Sequence, residues 1–268
     1  MHREDDHESP RSMNRNFIAS LSRGLAILEA VADCEEDVPL AALAKLVGLK
    51  KTSTWRLTHT LVQLGYLRQN PETRCFRLSP RVLAFGYAYF DGLDLKTLST
   101  PFLTDLSRRL NETVNLAVLD GDQLVYIERI KTSQIININL HVGSRLPLYN
   151  TSLGRALISE MPEAWLQGYI ERLAKVPEAL EYARKSGERL LNLLRETRQH
   201  GYALSDEEYV VGLRSVSSPI REKKDKIVAA ANIAVPSSRV TVSDLRRTFV
   251  PELLDTAHKI SAALGFRA

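Results

Sequence analysis

The chain has 268 residues, room for one or two domains, and its 44% hydrophobic and 25% charged content is that of a globular protein. No apolar run approaches the ~18 residues of a membrane span. The first sixteen residues are polar, without the apolar stretch of a secretory signal, and read as a disordered tail. Two scattered cysteines, Cys34 and Cys75, exclude a disulfide framework or a thiolate metal site, so a reduced, cytoplasmic setting fits. Net charge is only +4, but between Lys45 and Arg81 eight basic residues stand against one acid, Glu72. That local excess is the expected footprint of a surface for a polyanion.

The first helix is predicted from about Ser20, with Leu21, Leu25 and Leu28 as the stripe of a small core. Pro39 precedes a short second helix whose buried face is Leu40, Leu43, Leu46 and Val47 and which ends at Gly48. A third helix opens with Lys50, Lys51, Thr52, Ser53 and Thr54. Its apolar residues are Trp55, Leu57, Leu61, Val62 and Leu64, with Trp55 filling the small core, while Lys51, Thr52, Arg56 and His59 lie on another side. One face for packing and one for donors is what a helix needs to enter a DNA groove. Gly65 supplies a left-handed helix stop. Short strands beginning at Tyr66 and at Cys75 flank the polar turn Asn70-Pro71-Glu72-Thr73, as a two-stranded wing requires. This is the order of a winged helix-turn-helix.

From Ser79 to Asp94 the residues Val82, Leu83, Phe85, Tyr89 and Phe90 keep a helical pattern, a linker helix that either helps to dimerise or packs on the wing domain. Beyond Leu95 helices and strands mix. A helix is predicted over Leu95 to Leu110, and strands over Val114 to Leu119 and Leu124 to Ile130. A further strand carries Ile135, Ile136, Ile138 and Leu140. Helices follow from Thr151 to Ser159 and through Leu190 to His200, the latter ending at Gly201. Val216 to Ile220 and Ile227 to Val235 form a hairpin, and Val242 to Leu264 a last helix. The fold class is α+β. A winged helix-turn-helix domain spans 17–78 and a linker helix 79–94, and an α/β sensor-like domain with an antiparallel sheet spans 95–268.

Two candidate sites follow. For DNA, Lys50 and Lys51 neutralise phosphates, and Thr52, Ser53 and Thr54 offer short hydroxyl donors to phosphates or base edges. Arg56 and His59, one to two turns on, reach guanine or backbone, and Arg74 and Arg77 on the wing reach phosphate or the minor groove. For a small anion, the segment Pro147 to Arg155 leads from a loop into a helix whose first amides and dipole suit a carboxylate. Thr151 and Ser152 add hydroxyls there, or one of them caps the helix, and Tyr149 and Asn150 shape specificity. Arg155 is expected as an exposed helix arginine, and Asp206, Glu207 and Glu208 as a solvated helical turn.

Five segments, LSRGLAILEAVAD, LAKLVGLKKTSTWRLTHTLVQLGYL, VGSRLPLYNTSLGRALIS, HGYALSDEEYVVGLRSVSSPI and IVAAANIAVPSSRVT, together resemble the IclR family of bacterial transcription regulators over about Phe17 to Arg267. The resemblance implies an N-terminal winged helix-turn-helix, a C-terminal GAF-like effector-binding domain, and a homodimer or dimer of dimers. It matches Arg23 to the family's basic residue before the first helix proper, a backbone contact or only a surface charge. It implies an effector pocket containing Ser152, Leu153, Ser205, Ser215, Asn232 and Ala234, to which the loop-helix segment adds Gly154 as a further candidate. Many relatives carry an acid where Ser205 stands, a cysteine where Ser215 stands, and serines where Asn232 and Ala234 stand. Losing the acid disfavours glyoxylate-like effectors and points to a different, larger acid. The stretch GSRLPLYNTSLGRAL resembles the branch that controls aromatic-acid and β-ketoadipate pathway genes.

The expected partners are therefore double-stranded operator DNA and a small organic acid, with no cofactor, metal or membrane. An enzyme is the main rival. The chain has no GxSxG, GxGxxG, P-loop or HExxH, and its six histidines form no close ligand set. A ligand-independent DNA binder is the second, but wrapping DNA does not need the long second domain.

Overall fold

The computed structural model describes residues 17–85, 94–132 and 140–267. The chain divides into two compact units, one up to Gly92 and one from Leu93 onward. The predicted tail, half of the predicted linker helix and the strand at Ile135, Ile136 and Ile138 lie outside the described residues. Among the described residues no helix is long and apolar enough to cross a membrane.

The first unit consists of α1 (Ala19–Ala32), α2 (Leu40–Leu46), α3 (Lys51–Gln63), β1 (Leu67–Gln69) and β2 (Phe76–Leu78). Its core is Ile27, Val31, Val38, Leu43, Leu61, Leu67 and Phe76, each worth roughly 1.5–3 kcal/mol of burial. Gly65, at φ 76°, stops α3 as its sequence position predicts. Its amide and that of Tyr66 turn back to the carbonyls of Val62 and Leu61, 2.9 Å each. The strands pair antiparallel with Arg68 opposite Arg77. The Asn70 side-chain oxygen accepts from the amides of Glu72 and Thr73 at 2.9 and 3.2 Å, an Asx-type lock on the wing turn. After β2 the chain enters a 3₁₀ turn, Pro80–Val82, capped by the Ser79 hydroxyl.

Three helix faces differ from expectation. On α1 the buried residues are Ile27 and Val31, with Leu28 partly buried against them, while Leu21 and Leu25 are exposed. That helix carries two apolar stripes, and periodicity alone does not say which one the neighbours cover. On α2 Leu46 faces solvent. On α3 Trp55 is 55% exposed and Leu64 is exposed too, whereas Thr54 and Thr58 are fully buried. The two threonines tolerate this because each hydroxyl donates to a carbonyl of its own helix, Thr54 to Lys50 at 3.2 Å and Thr58 to Trp55 at 3.0 Å. The inward stripe thus runs Thr54, Thr58, Leu61, and the indole is turned outward.

The second unit is a six-stranded antiparallel sheet in the order β5-β4-β3-β8-β7-β6. Its strands are β3 (Thr113–Asp120), β4 (Gln123–Ile130), β5 (Arg145–Pro147), β6 (Ala203–Asp206), β7 (Leu213–Arg221) and β8 (Ile227–Pro236). One face is covered by α5 (Ser152–Ile158), behind which lie α6 (Glu163–Leu173) and α7 (Pro177–His200). On the other lie α4 (Asp94–Leu110) and α8 (Val250–Ala263), the latter entered through the turns Val242–Asp244 and Leu245–Phe249. The predicted helices, the β3-β4 pair and the β7-β8 hairpin are all present. Helix α6 and the short strands β5 and β6 were not predicted.

Every side chain of α5 is buried, because the helix is sandwiched between sheet and α7. Gly154 permits this closeness. A Cβ built there would stand 2.3 Å from both the Cα and the carbonyl oxygen of Leu148. Since the obstacle is backbone, Gly154→Ala should cost the upper part of the ~1–3 kcal/mol range for overpacking. A urea melt with an unchanged midpoint would refute this packing role.

Candidate functional site

In the first unit the residues proposed for DNA share an outward surface. Lys50, Lys51, Thr52, Arg56 and His59 are exposed and Ser53 is half-buried along one side of α3. No side chain caps the α3 N-terminus, which leaves its leading amides open to an acceptor such as a phosphate oxygen. Arg23 on α1 is exposed and lines the same groove as Ser53, Arg56 and His59. On the wing Arg77 is exposed on β2, and Arg74 sits at its tip with φ 58°. Thr54 is a correction. It is buried and its hydroxyl is spent on Lys50, so it is not an accessible donor. Trp55 belongs to the outer surface instead, stacked on His59 with ring centroids 5.5 Å apart and planes 18° from parallel.

In the second unit a cavity lies between the α5 N-terminus and the sheet. Thr151, Ser152, Leu153, Ser205, Ser215, Asn232 and Ala234 all line it. Tyr149, Asn150 and Gly154 do not. Tyr149 packs against the neighbouring core, and Gly154 faces the Leu148 backbone. The Thr151 hydroxyl accepts from the Gly154 amide at 3.1 Å, so capping is what this threonine does. Ser152 lies at the centre of a hydroxyl cluster, 2.7 Å from Ser215 and 2.6 Å from Ser217. Alternation places these serines on one face. Ser205 pairs with Ser215 across β6-β7, and Ser217 with Asn232 across β7-β8.

Two expectations near this cavity are overturned. Arg155 is buried, 1% exposed, and its guanidinium grips both oxygens of Glu208, Nη1 at 2.7 Å and Nη2 at 3.1 Å, while also donating to the Leu204 carbonyl. Asp206 to Glu208 is accordingly no solvated helical turn. Asp206 ends β6 and binds Arg214 at 2.5 Å, and the Glu207 carboxylate accepts from the Gly212 amide at 2.7 Å. Each acid is tied to a specific donor.

Sequence reasoning missed other parts of the wall, namely Asn115, Tyr126, Arg129, Leu140, Leu146, Tyr209 and Leu213. Asn115 left one signal, an amide at an inward position of the apolar run Val114 to Leu119. Burial pushes the Tyr126 phenol up to about 12, so it stays a neutral hydroxyl at physiological pH.

A winged helix-turn-helix with a basic outer face, joined to a helix-covered sheet that encloses a polar-lined cavity, defines the class of DNA-binding transcription regulators. The family models for the IclR helix-turn-helix domain and for the bacterial transcriptional regulator IclR C-terminal domain match residues 20–71 and 87–262. The chain belongs to the IclR family. It is 33% identical over 250 residues to the Pca regulon regulatory protein of Pseudomonas putida, covering 91% of this chain and 85% of that one. A crystal structure of an IclR family transcriptional regulator from Brucella abortus superposes with a TM-score of 0.70 at 31% identity, covering 93% and 94% of the two chains. An IclR homologue from Microbacterium hydrocarbonoxydans, crystallised with 4-hydroxybenzoate, shares the fold with a TM-score of 0.74 at 20% identity, covering 92% and 99%.

Proposed function

We propose that this DNA-binding regulator reads its operator with the outer side of α3 and the wing, and that a small organic acid held between α5 and the sheet controls that binding. The observation that carries the reading is a polar-lined cavity inside a unit whose remaining core is apolar. Buried hydroxyls and amides cost stability unless satisfied, and a few of them converging on a cavity whose other walls are apolar is the pattern of a small-molecule site. Lys50, Lys51, Thr52, Ser53, Arg56 and His59 are the groove-facing set, with Arg23, Arg74 and Arg77 on flanking phosphates.

The protein acts in the cytoplasm as a homodimer or dimer of dimers. The acid shifts the relative placement of two wing domains, so that two half-sites fit or fail to fit. The regulated genes serve catabolism of an aromatic acid or related carboxylate, a reading supported by the likeness to the Pca regulon regulatory protein.

A ligand moves such an equilibrium only by its differential affinity for the two arrangements. The coupling must therefore be reciprocal: the factor by which the acid changes operator affinity equals the factor by which operator changes acid affinity, typically 5–150-fold. Calorimetric titration of the acid with and without a saturating operator duplex tests this. Equal affinities in the two titrations would end the proposal.

A further inference from the structure

The cavity wall on the β4 side is a polar row laid across three neighbouring strands. Arg129 on β4 stands opposite Asn115 on β3, and Asn115 opposite Asn232 on β8. Arg129 Nη1 donates to Asn115 Oδ1 at 3.0 Å, and Asn115 Nδ2 donates to Asn232 Oδ1 at 2.7 Å. This chain of bonds fixes the guanidinium at the cavity edge. Its Nε is buried and has no hydrogen-bond partner. The adjacent carboxylate does not answer it. Glu128 turns to the other face of the sheet, where it meets Lys96 at 3.5 Å and Thr100 at 3.2 Å. Arg155, by contrast, reaches the interior already matched by Glu208. Burial pulls the Arg129 guanidinium below its ordinary range, opposed in part by the Tyr126 phenol. A guanidinium nevertheless stays charged in a protein, and a buried N–H without a partner destabilises the fold until an acceptor arrives.

At the other side of the same cavity stands the Ser152, Ser215 and Ser217 hydroxyl cluster. The strands of Arg129 and Ser215, β4 and β7, are three spacings apart, about 14 Å, and both residues line the cavity. Tyr126, Leu146 and Tyr209 supply apolar surface to the same cavity. The free space is narrow, about 30 Å³, room for a water or two, so a ligand enters by parting side chains.

We propose that Arg129 is the carboxylate anchor of this cavity, and that the ligand is a hydroxylated carboxylic acid with a flat apolar body. Its carboxylate accepts from Arg129 Nε, its body lies against Tyr126 and Tyr209, and its hydroxyl joins the serine cluster. This assignment rests on the effector-site reading above and adds a cation to it. A charge-assisted bond from a guanidinium is about twice as strong as a neutral one, so the carboxylate end decides affinity.

The test is calorimetric titration of the full-length protein with 4-hydroxybenzoate and with its neutral counterpart, 4-hydroxybenzamide, beside Arg129→Gln and Arg129→Lys. The wild type should prefer acid to amide by roughly 10- to 100-fold. Arg129→Gln should lose that preference while keeping its far-UV spectrum and ligand-free melting temperature, and Arg129→Lys should retain part of it. A merely structural arginine would not alter the acid-to-amide ratio. If Arg129→Gln binds the acid as the wild type does, the anchor assignment is wrong and the effector reading stands. If Arg129→Gln does not fold, the wild-type ratio decides, and a ratio near one overturns the anchor. If the wild type binds neither 4-hydroxybenzoate, protocatechuate, β-ketoadipate nor glyoxylate, the effector reading fails and the anchor with it.

Discussion

Arg56→Ala is expected to weaken operator binding by roughly 10- to 100-fold, the ~1–3 kcal/mol of a lost base contact, without changing the melting temperature. Arg56 is exposed on α3 and none of its side-chain groups enters the core, so its removal should alter stability by no more than ~0.5 kcal/mol. The two kinds of contact separate by salt. A guanidinium on a base edge costs affinity for the operator but not for random duplex. One on a phosphate costs both, and lowers the slope of log affinity against log salt by about one. Titrating an operator, recovered by selection from a random-sequence pool, at several salt concentrations reads both quantities. Wild-type affinity in Arg56→Ala would remove this residue, and with it the middle of the α3 face, from the interface.

Arg155→Met should destabilise the second unit by about 3 kcal/mol, or about 6–12 °C in Tm for a unit of this size. Methionine replaces the apolar stem of the side chain but leaves the Glu208 carboxylate and the Leu204 carbonyl without their donor. Breaking a buried pair costs ~3–5 kcal/mol because the orphaned charge remains. Glu208 keeps 18% side-chain exposure, and water reaching it argues for the lower end. The consequence reaches the cavity, since Leu204 adjoins Ser205, Glu208 adjoins Tyr209, and Arg155 rides on the helix that carries Ser152. Acid affinity should fall along with the melting temperature, and Arg155→Met with Glu208→Leu should recover part of the stability. A loss under 1 kcal/mol in a thermal or urea melt would show the pair to be a surface-like contact.

Much of this molecule was legible in advance because its signals are local. The α2-turn-α3 order, the stop at Gly65 and the wing turn at Asn70 rest on short-range geometry and came out as read. The cavity serines Ser152, Ser205 and Ser215 came from the family resemblance rather than from a local pattern, and the structure brings all three to one cavity. Thr54 and Trp55 went the other way, since neighbouring residues on a helix differ by only 100° and burial favours whichever phase the neighbours cover. A hydroxyl bonded to its own helix buries cheaply, and an indole has an aromatic partner in His59 on the outer face. Arg155 and Glu208 are 53 residues apart, and nothing in either neighbourhood announces the pair.

Arg129 shows most plainly where sequence reading stops. Strict alternation would place it opposite Tyr126, on the other face of the sheet. The register of β3 against β4 slips between Leu116 and Ala117, where Ala117 pairs with Tyr126 and Leu116 with Glu128, leaving Ile127 as the extra residue of a bulge. That one residue brings Arg129 and Tyr126 to the same cavity. Local patterns carried the winged helix-turn-helix, most elements of the second unit and the basic face of α3, because helix periodicity, strand alternation and turn chemistry act over a few residues, whereas the cavity serines came from the family resemblance. Tertiary packing alone settled which stripe of each helix is covered, which carboxylate answers Arg155, and that Arg129 meets the cavity with its Nε unpartnered, because each depends on partners brought together from distant strands and on a strand register that no local pattern encodes.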